Sequence, residues 1–194
     1  MKHYIEITLL PNLNINLFSL WSKVFQQIHL GLVEMQDDQK RVPIGVSFPE
    51  YVIGEKYSVL GDKLRLFAQD EATLARFDTP KWLFRLSDYV HCTSIRSVPV
   101  KIIGYAIYQR YQPKINAERL ARRYARRHGV DYGTALVRYG EMSNKCIPLP
   151  FIRQKSLSSG QEFCLWIKKN RVIEPAGSAY SSYGLSASTT VPEF

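Results

Sequence analysis

The stretch YIEITLLPNLNINLFSLWSKVFQQIHLGLV, residues 4–33, decides the fold because it contains two successive periodicities. From Tyr4 to Leu9 the residues alternate between two faces, which predicts a half-buried strand that ends at Pro11. Apolar residues then recur at helical spacing from about Leu17 to Val33, which predicts an amphipathic helix. The apolar stripe of this helix consists of Phe18, Trp21, Val24, Phe25, Ile28 and Leu32.

Similar patterns continue to about residue 98. Residues 41–48, 63–68 and 91–98 are typical of strands, and residues 70–89 are typical of helical segments. The order β-α-β-β-α-β is the ferredoxin-like, or RRM-like, arrangement, which often binds RNA but also serves many other functions. We therefore predict an α+β protein with a ferredoxin-like domain at residues 1–100.

The pattern changes after Pro99. Residues 101–110 are strand-like, a helix ends at Gly129, and a second helix follows over about residues 131–141. Residues 151–155 and 161–168 predict a hairpin around Ser158-Ser159-Gly160. The tail from Gly177 is serine-rich and is either flexible or ordered, since its Tyr180, Tyr183, Val191 and Phe194 side chains can be buried. These segments predict a C-terminal α+β domain at residues 101–194.

The helix before Gly129 carries an arginine stripe, formed by Arg119, Arg122, Arg123, Arg126 and Arg127. At 100° per residue these side chains share a sector about 140° wide. Guanidinium groups at this density repel one another, and their planar forks suit phosphate oxygens. A solvated surface helix is the alternative. However, residues 101–128 hold eight Lys or Arg and one acid, which gives +7 of the net charge of +9. Nucleic acid is the favoured partner.

Composition excludes several classes of protein. A chain of 194 residues with 45% hydrophobic residues can bury a core, and its high pI favours anionic partners. Three widely separated cysteines fit neither a disulfide framework nor a zinc site, and they predict a reduced, cytoplasmic protein. The longest apolar run, residues 102–108, is too short to cross a membrane, and the side of the arginine helix opposite the stripe is mostly alanine. We expect no membrane partner, metal or cofactor.

Cleavage of RNA requires few protein groups, because the 2′-hydroxyl of the RNA is itself a nucleophile and needs only a positioned base. Among the histidines, His29 lies at the edge of an apolar stripe, where a side chain can be held firmly and still reach a cleft. A boundary histidine is more commonly satisfied by a backbone carbonyl without any catalytic role. Both interpretations stay open. For Phe163, which could stack on a base, alternation with Leu165 and Ile167 favours core packing.

Several motifs in this order resemble one family, the CRISPR repeat-processing endoribonucleases of type I-F systems. They are His3-Tyr4, the helix bearing His29, Ile44-Gly45-Val46-Ser47-Phe48-Pro49, the arginine helix, Leu149-Pro150-Phe151, the serine hairpin and Tyr183-Gly184-Leu185-Ser186. The resemblance implies an enzyme that binds the repeat stem-loop and cuts at the 3′ base of the stem without metal. It also implies a cyclic phosphate product, retention of that product, and partnership with other subunits of a type I-F interference complex.

The resemblance also implies roles for single residues. His29 would be the general base, Ser156 would orient the 2′-hydroxyl, and Tyr183 would hold the histidine or the RNA backbone. The implied RNA-binding residues are Arg110, Gln112, Arg119, Arg122, Arg123, Arg126, Arg127, His128, Ser158, Ser159 and Phe163. Within this set Arg110 and Gln112 would read bases at the foot of the stem, and Phe163 would stack below it.

This sequence departs from the family pattern in its hairpin, where Ser159 replaces a threonine and Glu162 brings a negative charge close to the expected RNA path. Residues 52–59 also form a longer connection than the family needs. Two other functional classes stay open. The chain could be a non-catalytic RNA-hairpin-binding subunit of a ribonucleoprotein, or a structural RNA-binding protein that resembles a ribosomal component.

Overall fold

The computed structural model describes residues 1–55, 57–113, 117–143, 147–157 and 159–194, with the backbone alone described for residues 117–119 and 139–143. The chain forms two compact units, residues 1–111 together with 149–194, and residues 112–148. The first unit contains two antiparallel sheets and the second is helical. The predicted α+β class is confirmed.

The first sheet is built from the N-terminal half of the chain. Its strands are β1 (His3–Leu9), β2 (Gly45–Ser47), β3 (Lys63–Ala68) and β4 (Val90–Cys92) in the order β2-β3-β1-β4, and β5 (Arg96–Ser97) also pairs with β1. Helix α1 (Leu17–Glu34) connects β1 to β2. Between β3 and β4 lie α2 (Glu71–Phe77), α3 (Thr79–Leu83) and a 3₁₀ helix (Phe84–Tyr89).

Two predicted strands differ from the observed ones, one in its length and the other in its continuity. The prediction for residues 41–48 was too long, since Val42 pairs with Tyr180 near the C-terminus and only Gly45–Ser47 pair with β3. The predicted strand at residues 91–98 is broken into β4 and β5. At the break Thr93 accepts a hydrogen bond from the Glu6 N–H with its side-chain oxygen, at 3.0 Å.

The second sheet contains β6 (Gly104–Tyr111), β7 (Phe151–Lys155), β8 (Glu162–Val172) and β9 (Val191–Glu193) in the order β7-β8-β6-β9. The predicted hairpin is confirmed, with β7 and β8 paired from Phe151 opposite Trp166 to Lys155 opposite Glu162. The tail is ordered, because β9 pairs with β6 and Tyr180 and Val191 are 3% and 1% exposed. Its interpretation as a flexible end is wrong.

One hydrophobic core joins the two sheets. The Phe48 ring lies 5.5 Å from Trp21 of α1 and 5.6 Å from Tyr108 of β6, and the Tyr108 hydroxyl donates to the Phe48 carbonyl at 3.0 Å. Both sheets contribute side chains with little or no exposure to this cluster. Along the chain, the predicted boundary between residues 100 and 101 falls after the strands of the first sheet and before those of the second. That this boundary separates two domains stays a prediction.

The second unit contains α4 (Ala117–His128) and α5 (Tyr132–Ser143). As predicted, α4 ends at Gly129, whose φ of +65° is a left-handed conformation that favours glycine. The Asp131 side chain caps α5 by accepting the Thr134 N–H at 3.1 Å. Within the described part of the chain, no helix has the length and apolar character that a bilayer crossing requires.

Candidate active site

Helix α1 holds His29 at the boundary of the core. The helix is capped by the Asn16 side chain, which accepts the Ser19 N–H at 2.8 Å. Its apolar side is fully buried at Val24, Phe25 and Ile28. His29 lies beside this buried stripe and is itself half-buried, as its position at the edge of the stripe predicts. The imidazole is therefore held by a rigid element and still reaches the surface.

One ring nitrogen of His29 is committed to the backbone. Its Nδ1 lies 2.8 Å from the Ser182 carbonyl oxygen. A carbonyl can only accept, so the neutral imidazole carries its proton on Nδ1 and presents a lone pair on Nε2. Burial lowers the pKa of His29, the hydrogen bond to Ser182 partly opposes that shift, and the nearby positive charge of Arg110 lowers the pKa further. The neutral, proton-accepting form is thus favoured at neutral pH.

Tyr183 fixes the plane of the imidazole. The two rings are stacked, with centroids 4.1 Å apart and planes at 4°. The segment that carries Ser182 and Tyr183 is tied to both sheets, because the Gly184 carbonyl accepts the Val46 N–H and the Tyr108 carbonyl accepts the Ser186 N–H, each at 2.9 Å. The histidine is therefore oriented by a segment more than 150 residues away in sequence.

Gly184 allows this segment to approach the sheet closely. Its φ is +67°, and an added Cβ would overlap the Val46 side chain. We expect Gly184→Ala to lower the free energy of unfolding by about 2–4 kcal/mol, from backbone strain and overpacking together. The matched control is Gly160→Ala, which has φ +68° but open space around the Cβ position, so it should cost only about 1 kcal/mol. Urea denaturation measures both losses, and equal losses would contradict the proposed contact.

Arg110 joins the same cluster from β6. Its guanidinium lies 5.4 Å from the centroid of the Tyr183 ring and 5.4 Å from that of Phe163. Both distances are within the range of cation–π interactions. Phe163 is partly buried against the core, so the predicted core packing is confirmed, while its ring still borders Arg110. The structure thus brings together four predicted site residues, His29, Arg110, Phe163 and Tyr183.

The serine hairpin forms a tight turn after β7. The Ser156 N–H donates to the Gln161 carbonyl at 2.8 Å, and the Ser156 hydroxyl oxygen accepts the Ser159 N–H at 3.2 Å. Ser159 is exposed, and Ser158 lies outside the described residues. The turn presents the Ser156 hydroxyl beside backbone amides, which is an arrangement that can bind a phosphate oxygen.

The arginine helix α4 presents a cationic surface within the second unit. Arg122, Arg123, Arg126 and Arg127 are exposed and line one shallow depression, whereas the side chain of Arg119 lies outside the described part. On another side of the helix, the Tyr124 hydroxyl accepts a hydrogen bond from Arg138 at 2.7 Å. His128 packs against the Tyr124 ring at 4.3 Å, and Gln112 is exposed just beyond β6.

A family model described as CRISPR-associated protein (Cas_Csy4) matches residues 4–194. The chain belongs to the Cas_Csy4 family. The resemblance found in the sequence motifs is thereby confirmed. Two relatives are named "CRISPR-associated endonuclease Cas6/Csy4". The one from Escherichia coli (strain UTI89 / UPEC) is 35% identical over 196 residues, and the one from Pseudomonas aeruginosa (strain UCBPP-PA14) is 34% identical over 195 residues. Each alignment covers 100% of both chains.

A solved structure described as "An RAMP protein binding different RNA substrates" is also similar to this Cas_Csy4 chain. It aligns over 98% of this chain and 99% of its own, with 11% identity and a TM-score of 0.37. That likeness is too low to bear on the fold or the function.

The sequence motifs did not indicate one atom of the candidate site of this Cas_Csy4 chain, the Ser182 carbonyl oxygen that selects the tautomer of His29. A backbone acceptor leaves no residue-type signal, and only the neighbouring Tyr183-Gly184 motif pointed to this segment.

Among the residues that the structure describes, no group of three or more His, Cys, Asp or Glu side chains could hold a metal ion. Cys92 and Cys164 are free thiols, and Cys146 lies outside the described residues.

Proposed function

We propose that this chain is a CRISPR RNA endonuclease that binds the repeat stem-loop, cuts at the 3′ base of the stem without a metal ion, and stays bound to the product. The observation that carries the proposal is the hydrogen bond from His29 Nδ1 to the Ser182 carbonyl, because it leaves Nε2 available as a base. The proposed activity agrees with the endonuclease names of both relatives.

In the proposed reaction, Nε2 of His29 takes the proton of the 2′-hydroxyl on the nucleotide before the cut. The 2′-oxygen attacks the adjacent phosphorus, and the bond from phosphorus to the 5′-oxygen of the next nucleotide breaks. The products are a 2′,3′-cyclic phosphate and a 5′-alkoxide, which takes a proton from solvent water to become a 5′-hydroxyl. Stacking on Tyr183 holds the imidazole plane while the proton moves.

Ser156 is proposed to orient the 2′-hydroxyl, and the packing of α1 against β7 supports this role. The two elements run in the same direction, since Phe151 contacts Phe18 at 5.4 Å between ring centroids and the Gln154 amide donates to the Ser22 carbonyl at 3.2 Å. From the Phe18–Phe151 contact, both His29 on the helix and Ser156 after the strand lie about 17 Å further along. The hydroxyl and the imidazole are thus expected at the same level.

The RNA stem is proposed to contact the cluster around Arg110 and the arginine stripe of α4. Arg110 and Gln112 would read bases at the foot of the stem, and Phe163 would stack beneath it. The arginine stripe of α4 would contact phosphates of the stem, which is supported by the exposure of its described members. For Arg119, His128, Ser158 and Ser159 the RNA-binding role stays a prediction.

Loss of one arginine of the stripe should weaken RNA binding and reduce its dependence on salt concentration. We expect Arg123→Ala to raise the Kd for the stem-loop and to reduce the slope of log K against log salt by about one unit, since one phosphate contact is lost. Arg76→Ala, an exposed arginine of α2, is the matched control and should leave the slope unchanged. A filter-binding titration over several salt concentrations measures both. If Arg123→Ala kept the parent slope, that residue would not contact a phosphate.

Selectivity tests the proposal as a whole. A purified sample should cleave a labelled repeat stem-loop at the base of its stem and leave an unrelated hairpin intact. Equal binding of both RNAs without cleavage would favour a structural RNA-binding protein instead.

We also propose a ferredoxin-like arrangement for residues 1–100. It is supported by the sheet order β2-β3-β1-β4, in which each connection between parallel strands contains a helix. Association with other subunits of a type I-F interference complex and a cytoplasmic location stay predictions.

A further inference from the structure

A cleft of about 620 Å³ crosses the solvent-facing side of α1. One wall is the β7–β8 hairpin, and the other is formed by α3 and the start of the 3₁₀ helix. The floor of the cleft is formed by α1, through Ser22, Lys23 and Gln26. The cleft lies entirely within the first compact unit, and none of its lining residues has a role in the reaction proposed above.

Residues that line the cleft are close in the chain to those of the proposed active site. Lys155, which lines it, directly precedes Ser156 in the chain. On α1, Ser22 and Gln26 precede His29 by seven and three residues, a spacing that places all three on one side of a helix. A strand whose cut bond lies at His29 and Ser156 is therefore expected to reach one end of the cleft.

The charge of the cleft suits a polyanion. Its lining includes the cations Lys23, Lys81, Arg85, Arg153 and Lys155 and one acid, Glu162. Lys81 is paired with Glu34 at 3.7 Å. In the part of the chain that the structure describes, neither Lys23 nor Arg85 forms an ion pair, and Arg85 is exposed. Unneutralised cations beside a groove attract phosphates.

An aromatic side chain in the same cleft offers a surface for a base. Phe84 is 78% exposed, although burial is the usual state of a phenylalanine in a folded chain. The neighbouring Trp82 is not equally available, because its indole N–H donates to the Phe77 carbonyl at 3.0 Å and the Lys81 ammonium lies 5.1 Å from its ring centroid. Cations that follow a backbone, with an aromatic ring for stacking, are the features of single-strand binding grooves.

We propose that this cleft binds the single-stranded RNA that continues 3′ of the cut, with Phe84 stacking on a base and Lys23 and Arg85 contacting phosphates. This inference rests on the proposed function, in which the stem on the 5′ side of the cut is bound by Arg110, Phe163 and α4. The strand on the 3′ side of the cut has no binding surface among those residues. Occupation of the cleft would hold the leaving strand in place before cleavage.

The test compares two stem-loops, one that ends at the cut and one with a short unpaired 3′ extension, made uncleavable by a 2′-deoxy nucleotide before the cut. The unmodified protein should bind the extended RNA about tenfold more tightly, as one stacked base predicts. Phe84→Ala combined with Arg85→Ala should remove this advantage and leave affinity for the shorter RNA unchanged. Tyr57→Ala combined with Arg76→Ala, an exposed aromatic and an exposed cation outside the cleft, should keep the advantage.

Each alternative outcome has a distinct meaning. Equal affinity of the unmodified protein for both RNAs would overturn the inference alone and point to a protein segment as the occupant of the cleft. An advantage that survives in the Phe84 and Arg85 variant would overturn it as well. Failure to bind even the shorter stem-loop would contradict the proposed function, and this inference with it.

Discussion

Replacing His29 with alanine should slow cleavage of the repeat stem-loop by about 10²- to 10⁴-fold, the usual contribution of a general base. The Kd for the stem-loop should change little, because the residues proposed to bind the stem are on other elements. Single-turnover cleavage and filter binding measure the two effects separately. A variant that cuts at the parent rate would remove His29 from the reaction, whereas parallel losses of binding and cleavage would indicate a structural role.

A control variant and a pH profile strengthen this test. His91→Ala removes an exposed histidine of β4 and should leave the cleavage rate unchanged. The proposed base is the neutral form of His29, and burial together with Arg110 lowers the pKa of this histidine below the ordinary value of about 6.5. The rate should therefore be level at neutral pH and fall only as acid protonates the imidazole, with a midpoint below about 6.5. A midpoint above neutrality would contradict the burial argument.

A single 2′-deoxy substitution in the RNA, at the nucleotide before the cut, should abolish cleavage. The substitution removes the proposed nucleophile, and no side chain is proposed to replace it. Affinity should stay nearly intact, because one 2′-hydroxyl contributes at most one hydrogen bond, about 0.5–1.5 kcal/mol. The same substitution one nucleotide upstream is the matched control and should permit cutting. Continued cleavage of the first RNA would require a different nucleophile.

Local periodicity predicted the elements whose sequence pattern reflects a single buried face or a local turn. The alternation of β1, the apolar stripe of α1 and the β7–β8 hairpin are all observed. Predictions failed where pairing is long-range. The residues of the predicted strand at 41–48 divide between β3 and the C-terminal segment. For the serine-rich tail the sequence left two alternatives open, and the pairing of β9 with β6 favours the ordered one. The serine content of the tail indicates only a local preference for flexibility. It carries no information on β6, the distant strand with which β9 pairs.

The candidate site was predictable in its residues but not in its geometry. The position of His29 at the edge of a stripe left two interpretations, a histidine satisfied by a carbonyl and a general base. The structure makes them compatible, since Nδ1 is satisfied by Ser182 while Nε2 keeps its lone pair. The meeting of Arg110, Phe163 and Tyr183 follows from the registers and connections of the second sheet, which the sequence pattern could not specify.

The most direct measurement incubates the purified protein with an end-labelled repeat stem-loop in excess EDTA and identifies both ends created by the cut. The proposed reaction predicts cleavage at the 3′ base of the stem, with a 2′,3′-cyclic phosphate on the upstream fragment and a 5′-hydroxyl on the downstream one. An intact RNA in EDTA that is cut when Mg²⁺ is restored, or a product with a 3′-hydroxyl and a 5′-phosphate, would contradict it.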